Sequence, residues 1–223
     1  MHMRLILMVL LIAFAAEVKA DGVKSWNMVS SSVFSVLPTW PGYADPGYGA
    51  PLGTAPEGTG FAISEQGHII TAAHVISKAT KVSVKNSKGE IFDAEPVFIS
   101  HATDLAVLKV KVKTDQAFFS LKPPDIGSQA CLISNSFGIG IGITCGVVSA
   151  TGISGIGFNK IEDFVQTDAA ANPGSSGGAL VNSDGLVIGM MSGIFTKNTD
   201  TNVGVNFAVS SALILKTVGD VLK

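Results

Sequence analysis

Ser176 stands in the run Asn172-Pro173-Gly174-Ser175-Ser176-Gly177-Gly178-Ala179-Leu180. A serine followed by two glycines, with a third glycine two residues before it, suits a nucleophile whose own backbone N–H helps to bind an oxyanion. Glycines permit the tight turn and leave room for a carbonyl to approach the main chain. An alcohol becomes nucleophilic near neutral pH only with a base within hydrogen-bond reach. His74, closing Ile70-Thr71-Ala72-Ala73-His74, offers an imidazole for that task. A buried carboxylate would fix the imidazole tautomer and stabilise the imidazolium that forms. Asp104, in Thr103-Asp104-Leu105-Ala106-Val107-Leu108, offers it. Taken singly, each residue has a plainer reading: a half-buried histidine after a strand, an aspartate capping a turn, a serine in a glycine loop. Together, each beside a strand-like segment, they point to acyl transfer through a serine hydroxyl.

The elements that must position these groups read as short strands joined by turns. Ser30-Ser31-Ser32-Val33-Phe34-Ser35-Val36-Leu37 predicts a first strand, and residues 38–57 form a long loop rich in proline. Gly58-Thr59-Gly60-Phe61-Ala62-Ile63 and His68-Ile69-Ile70-Thr71-Ala72 alternate as a hairpin closed at Glu65-Gln66-Gly67. Lys81-Val82-Ser83-Val84-Lys85 and Glu90-Ile91-Phe92-Asp93-Ala94-Glu95 alternate around a second turn. Residues 113–127, polar and holding Pro123-Pro124, read as a linker between two groups of strands. A later hairpin turns at Asp184-Gly185. Ser210 or Ser211 caps a short final helix whose Leu213, Leu215 and Val218 recur at helical spacing. The pattern predicts an all-β, antiparallel architecture without β-α alternation.

Cys131 and Cys145 flank two strand-like segments joined by a glycine-rich turn. A hairpin centred near Gly138 would set the two sulfurs opposite each other, and an oxidising compartment favours a bridge. Two separate buried thiols are the alternative. The glycines at 138, 140 and 142 make no phosphate loop, because the lysine and the strand-to-helix context are missing. His68 and His101 have no metal-ligand neighbours at suitable spacing, so neither a metal nor a cofactor is expected.

The chain order His74, Asp104, Ser176 is that of the chymotrypsin-like Ser-His-Asp enzymes. Gly58-Thr59-Gly60-Phe61, Thr71-Ala72-Ala73-His74-Val75, the Asp104 segment, Gln166-Thr167-Asp168-Ala169-Ala170 and the Ser176 run resemble the protease domain of HtrA/Deg trypsin-like serine peptidases. Val203-Gly204-Val205-Asn206-Phe207-Ala208-Val209 followed by a helix is similar to the end of that domain. The likeness extends over residues 33–222. It implies two six-stranded antiparallel β-barrels (about 30–112 and 128–209) with a helix at about 210–222 and the active site between the barrels. It also implies His74 as general base, Asp104 as its orienting partner, Ser176 as nucleophile, and an oxyanion hole from the N–H groups of Gly174 and Ser176. Most members continue into a peptide-binding PDZ domain, for which the sequence to Lys223 has no counterpart, so regulation by such a module is not expected. Ser175 stands where these proteases usually carry asparagine and zymogen-activated trypsins carry aspartate, so activation by a trypsin-type cut is not expected either.

By the same resemblance, Ala170 lies at the base of the primary specificity pocket, and Gly189-Met190-Met191-Ser192-Gly193 forms its wall and an edge for substrate. Without a charge at Ala170, the expected cleavage follows Val, Ala, Ile or Leu. Alternation along the strand implies that only one of Met190 and Met191 faces the pocket.

Composition agrees with an exported, single-domain protein. Met1-His2-Met3-Arg4 is basic, residues 5–16 are almost continuously apolar, and Val18-Lys19-Ala20 ends in small residues. That is the layout of a secretory signal at residues 1–20, with residues 21–223 as the mature domain. The apolar run falls short of the roughly 20 residues of a membrane span, although an uncleaved anchor is the alternative reading. Only 14% of residues are charged and the net charge is −2, with no basic block of the kind that binds nucleic acid. The leading expectation is therefore an exported serine endopeptidase acting on unfolded or extended polypeptides, as periplasmic or secreted protein. A protease-fold peptide binder without catalysis is the alternative. An α/β-hydrolase esterase is excluded by the chain order, which in that fold runs Ser, Asp, His.

Overall fold

A computed structural model describes residues 21–41, 57–194 and 202–219. The apolar leader and most of the proline-rich loop lie outside these residues. The first barrel contains β1 (Val33–Thr39), β2 (Gly58–Ala62), β3 (His68–Ala72), β4 (Lys81–Lys85), β5 (Ile91–Ser100) and β6 (Leu105–Lys109). The second contains β7 (Gln129–Ser134), β8 (Gly142–Ile153), β9 (Phe164–Thr167), β10 (Ala179–Val181), β11 (Val187–Ile194) and β12 (Asn206–Ser210). Both are closed, the first in the order β1-β2-β3-β6-β5-β4 and the second in the order β7-β8-β9-β12-β11-β10. The two orders are the same, offset by six strands, and every pairing is antiparallel.

Strand alternation decides what each barrel buries. In β7, Leu132 and Ala130 face inward with Val148, Val165, Leu180, Ile188 and Ala208 and fill the second barrel. Their neighbours Cys131 and Ile133 face the larger cluster, which joins the first barrel's Val36, Phe61, Ile70 and Leu108 to the seam between the halves. Each fully buried aliphatic or aromatic side chain of this kind contributes about 1.5–3 kcal/mol. Cys131 pairs directly with Cys145 across β7 and β8, and their sulfurs are 2.12 Å apart.

Helix α1 (Asp21–Val29) precedes a 3-10 turn at Ser30–Ser32 and was not expected from the sequence, which predicted only a strand from Ser30. It buries Ser25 and Val29 and half-buries Gly22 and Trp26, a single face at helical spacing. Ser25 Oγ donates to the Asn182 carbonyl (3.1 Å), and Lys24 pairs with Asp184 at 2.9 Å. The one-turn helix α2 (Ala73–Ile76) continues β3, and α3 (Ser211–Val218) closes the described chain. Ser210 is the N-cap of α3, accepting from the Leu213 N–H. No helix among the described residues is long and apolar enough to cross a membrane.

Candidate active site

Sheet register brings His74 to Asp104. Ala72, the last residue of β3, pairs with Leu105, the first of β6, so the chain leaves both strands at the same end of the barrel. Asp104 adopts φ 57°, a left-handed conformation that aspartate tolerates better than most residues. There it receives two hydrogen bonds from His74: the backbone N–H on Oδ1 (2.9 Å) and ring Nδ1 on Oδ2 (2.8 Å). Its own carbonyl accepts the Ala73 N–H at 3.0 Å. An ionised carboxylate only accepts, so Nδ1 carries the proton and Nε2 is left as the acceptor. Asp104 is 7% exposed while the His74 side chain is half exposed, so the imidazole is fixed from behind and open in front.

A third donor reaches Asp104 from the other barrel. Ser192 Oγ donates to Oδ2 at 2.6 Å. Met191 pairs with Ala208 and Gly193 with Phe207, so Ser192 is the extra residue of a β-bulge on β11. Bulges re-aim side chains in this way. The sequence reading put Ser192 in the pocket wall and missed this bond.

Two successive tight turns precede β10, closed by Ser175 N–H to the Asn172 carbonyl and Gly178 N–H to the Ser175 carbonyl, both 2.9 Å, and Ser176 lies in the second. Gly177 has φ 87°, and a Cβ there would stand 1.9 Å from the Thr59 carbonyl oxygen, so no side chain fits. Gly177 and Gly178 then dock on β11 through Gly177 N–H to Met191 O (2.7 Å) and Met191 N–H to Gly178 O (2.9 Å). Thr59 holds the turn from the first barrel, through its N–H to Ser176 O (2.8 Å) and its hydroxyl to Gly174 O (2.7 Å). Gly58-Thr59-Gly60 belongs to the sequence resemblance, but nothing in the sequence gave Thr59 this task.

The Pro173 carbonyl accepts the Phe137 N–H at 2.6 Å, and Phe137 is not among the residues lining the cleft. In a planar trans peptide the C=O and the following N–H point in opposite directions, so the Gly174 N–H points away from Phe137. Among the described residues, neither the Gly174 nor the Ser176 N–H has a protein hydrogen-bond partner. Two oriented donors beside a serine hydroxyl suit an oxygen on which negative charge develops.

The cleft has two adjoining parts that share Ser192 and Gly193. One holds His74, Asp104, His101, Phe158 and Asn159; the other is a hollow of about 90 Å³ between Ser176, Pro173, Asn172 and Met191. The expected pocket residues are only partly brought together there. Met191, Ser192 and Gly193 line the hollow. Met190 does not line it: it is fully buried in the cluster facing the first barrel, because adjacent strand residues point to opposite faces. Ala170 does not line the hollow; its carbonyl accepts the Thr144 hydroxyl at 2.7 Å. His68 bonds Ser64 Oγ at 2.8 Å on the hairpin turn, where burial and then the Lys109 charge hold its imidazole below the ordinary value.

A loop from the second barrel closes one end. Glu162 accepts N–H bonds from Ile156 (2.8 Å), Phe158 (2.7 Å) and Asn159 (3.0 Å), folding residues 155–162 into a compact turn. Ile161 N–H to the Ala102 carbonyl (2.8 Å) fixes that turn to the segment carrying Asp104.

Residues 58–190 match the family described as trypsin-like peptidase domain. The chain is 37% identical over 171 residues to a DegP-like protein of Chlamydia muridarum, covering 75% of this chain and 34% of that protein. It is 36% identical over 161 residues to the periplasmic serine endoprotease DegP of Escherichia coli, covering 70% and 34% respectively. The chain thus spans about a third of the length of the curated relatives it matches. Among solved structures, the HtrA-type protease AlgW with tripeptide aligns with a TM-score of 0.79 and 32% identity over 90% of this chain and 63% of that one. The serine endoprotease from Yersinia pestis aligns with a TM-score of 0.75 and 30% identity over 92% and 68%. The double barrel, the groups gathered between its halves and these likenesses agree, and the chain belongs to the trypsin-like peptidase domain family.

Proposed function

We propose that the chain is an exported serine endopeptidase acting on unfolded or extended polypeptide segments, without a cofactor. The observation that carries this reading is the convergence on one cleft of Ser176, the Asp104-bound imidazole of His74 and the free N–H of Gly174. Ser176 Oγ attacks the scissile carbonyl carbon and passes its proton to His74 Nε2, while Asp104 stabilises the imidazolium. The carbonyl oxygen, now an anion, is held by the Gly174 and Ser176 N–H groups. When the intermediate collapses, Nε2 gives its proton to the departing amine and an acyl-enzyme remains on Ser176. Water, activated by the same imidazole, then releases the acid. No hydrogen bond joins Ser176 Oγ to Nε2 in the free protein; such bonds often tighten only when substrate is bound.

Substrate binds as an added strand. β10 pairs with β11 only as far as Met190, and Ser192 and Gly193 beyond it face the cleft. The small hollow under Met191 favours Val, Ala, Ile or Leu before the cut. Export follows from the leader, and the E. coli relative DegP is named periplasmic. Fluorophosphonate labelling tests the reading: the folded wild-type protein is labelled at Ser176 and Ser176→Ala is not. Absence of labelling would favour a silent peptide binder. A peptide-library profile dominated by Arg, Lys or Glu before the cut would overturn the pocket assignment.

A further inference from the structure

Behind Ser176 lies a group of hydroxyls with no part in proton transfer. Ser134 ends β7, Ser136 follows on the next turn, and Ser175 precedes the nucleophile. Their oxygens stand 3.1 Å (Ser134 to Ser175), 2.9 Å (Ser136 to Ser175) and 3.5 Å (Ser134 to Ser136) apart. Ser134 and Ser175 are buried and Ser136 half-buried. The Asn172 N–H also donates to Ser175 Oγ, at 3.1 Å. With Asn172 and Ser134 occupying both of its lone pairs, Ser175 sends its own proton to Ser136. Ser136 then turns its proton back toward Ser134, closing a ring in which each hydroxyl donates once. Bonds in such a ring polarise one another, and an unfilled member would leave a buried polar group unpaired.

The ring joins the turn at residues 134–138 to the turn carrying Ser176. Between its members, Phe137 sits at φ 57°, and its N–H holds the Pro173 carbonyl at 2.6 Å. The turn is pinned on its far side as well, by Asn135 Nδ2 to Glu57 Oε2 (2.6 Å), Gly140 N–H to Asn135 Oδ1 (2.9 Å) and Asn135 N–H to Thr59 Oγ1 (2.9 Å). We infer that Ser134, Ser136 and Ser175 form a clamp that keeps Phe137 against Pro173 and so holds the Gly174 N–H pointing away from Phe137 before any ligand arrives. Ser175 is a positioning residue. The catalytic consequence rests on the peptidase reading above; the structural one does not.

The test compares wild type with Ser136→Ala and Ser175→Ala, with Ser136→Thr to restore a hydroxyl. Ser128→Ala, which removes an exposed hydroxyl bonded to Asp125 O, serves as control. Hydrogen exchange at the Phe137 amide reports the clamp without requiring activity. It should quicken by about tenfold or more in both alanine variants, beyond any general quickening of amides elsewhere in the two barrels, as for an amide that has lost its acceptor's fixed position. In parallel, kcat should fall about 10- to 100-fold with KM nearly constant, just below the loss seen when an oxyanion donor is removed outright. Affinity for a peptidyl aldehyde, whose hemiacetal oxygen occupies the anion site, should fall with kcat, and Ser136→Thr should recover both. Should Ser175→Ala fold poorly, the half-buried Ser136 carries the comparison. Unchanged Phe137 exchange, or faster exchange with kcat and aldehyde affinity intact, would overturn the clamp. Faster exchange in a protein that fluorophosphonate never labels would uphold the clamp and remove the peptidase reading.

Discussion

Thr59 and Ser176 belong to different barrels, yet the Thr59 N–H donates to the Ser176 carbonyl at 2.8 Å. The Thr59 hydroxyl also donates to Gly174 O and accepts from the Asn135 N–H at 2.9 Å. One side chain therefore supports both turns that frame Ser176. Thr59→Val keeps the shape and removes the hydroxyl, leaving the Asn135 N–H and the Gly174 carbonyl without it. Loss of about 1–3 kcal/mol in denaturant unfolding is expected, together with a lower kcat. Unchanged stability and kcat would show that Thr59 acts through its backbone alone.

Asp104→Asn should leave the fold intact and lower kcat by about 10⁴, the loss seen where the wrong imidazole tautomer results. Ser192→Ala removes one of three bonds to the same carboxylate and should cost about tenfold. Single-turnover kinetics with an ester substrate separates the two, since both changes fall on the chemical step. Equal losses would mean that Ser192 does more than orient Asp104.

Gly177→Ala places a Cβ 1.9 Å from the Thr59 carbonyl oxygen, in a backbone region that disfavours side chains. The conformation alone costs about 1–3 kcal/mol, and relief of the clash must part the two barrels. A lowered melting temperature together with lost fluorophosphonate labelling is expected. A stable, fully labelled variant would show that the turn can shift without harm to the site.

Glu162 supplies a pH dependence. Burial would raise its carboxyl, but the N–H donors of Asn159, Ile156, Phe158 and Gly155 outweigh burial and hold it below its ordinary value of 4.5. With the folded value depressed, the carboxylate's contribution to stability is full above the ordinary value and is lost as pH falls through the folded one. Glu162→Gln should therefore melt below wild type at pH 7, and the gap should narrow as pH falls below the ordinary value of 4.5. A gap that stays constant throughout acidification would assign the effect to shape rather than charge.

The pairing of His74 with Asp104 was legible because each follows or precedes an apolar strand, and simple strand pairing carries both to one barrel end. The glycine pattern around Ser176 was legible for a similar local reason. Ser192 reaching Asp104 was not, because it depends on a single extra residue in β11, which alternation alone cannot reveal. The same one-residue sensitivity decides that Met191 faces the hollow while Met190 does not. Helix α1 escaped notice because nine residues make a weak signal in isolation. Its partners, the Asn182–Asp184 turn and the Cys145 sulfur 3.1 Å from where a Gly22 Cβ would stand, are far along the chain.

The two barrels have the same strand order, and each closes on its own hydrogen bonds. His74 and Asp104 come from the first, while Ser176, Gly174 and Ser192 come from the second. On the proposed mechanism, neither half alone holds the nucleophile together with its base, however well it folds. A nascent or unfolding chain would then cut nothing until the halves meet, in the one state that is also best protected from being cut.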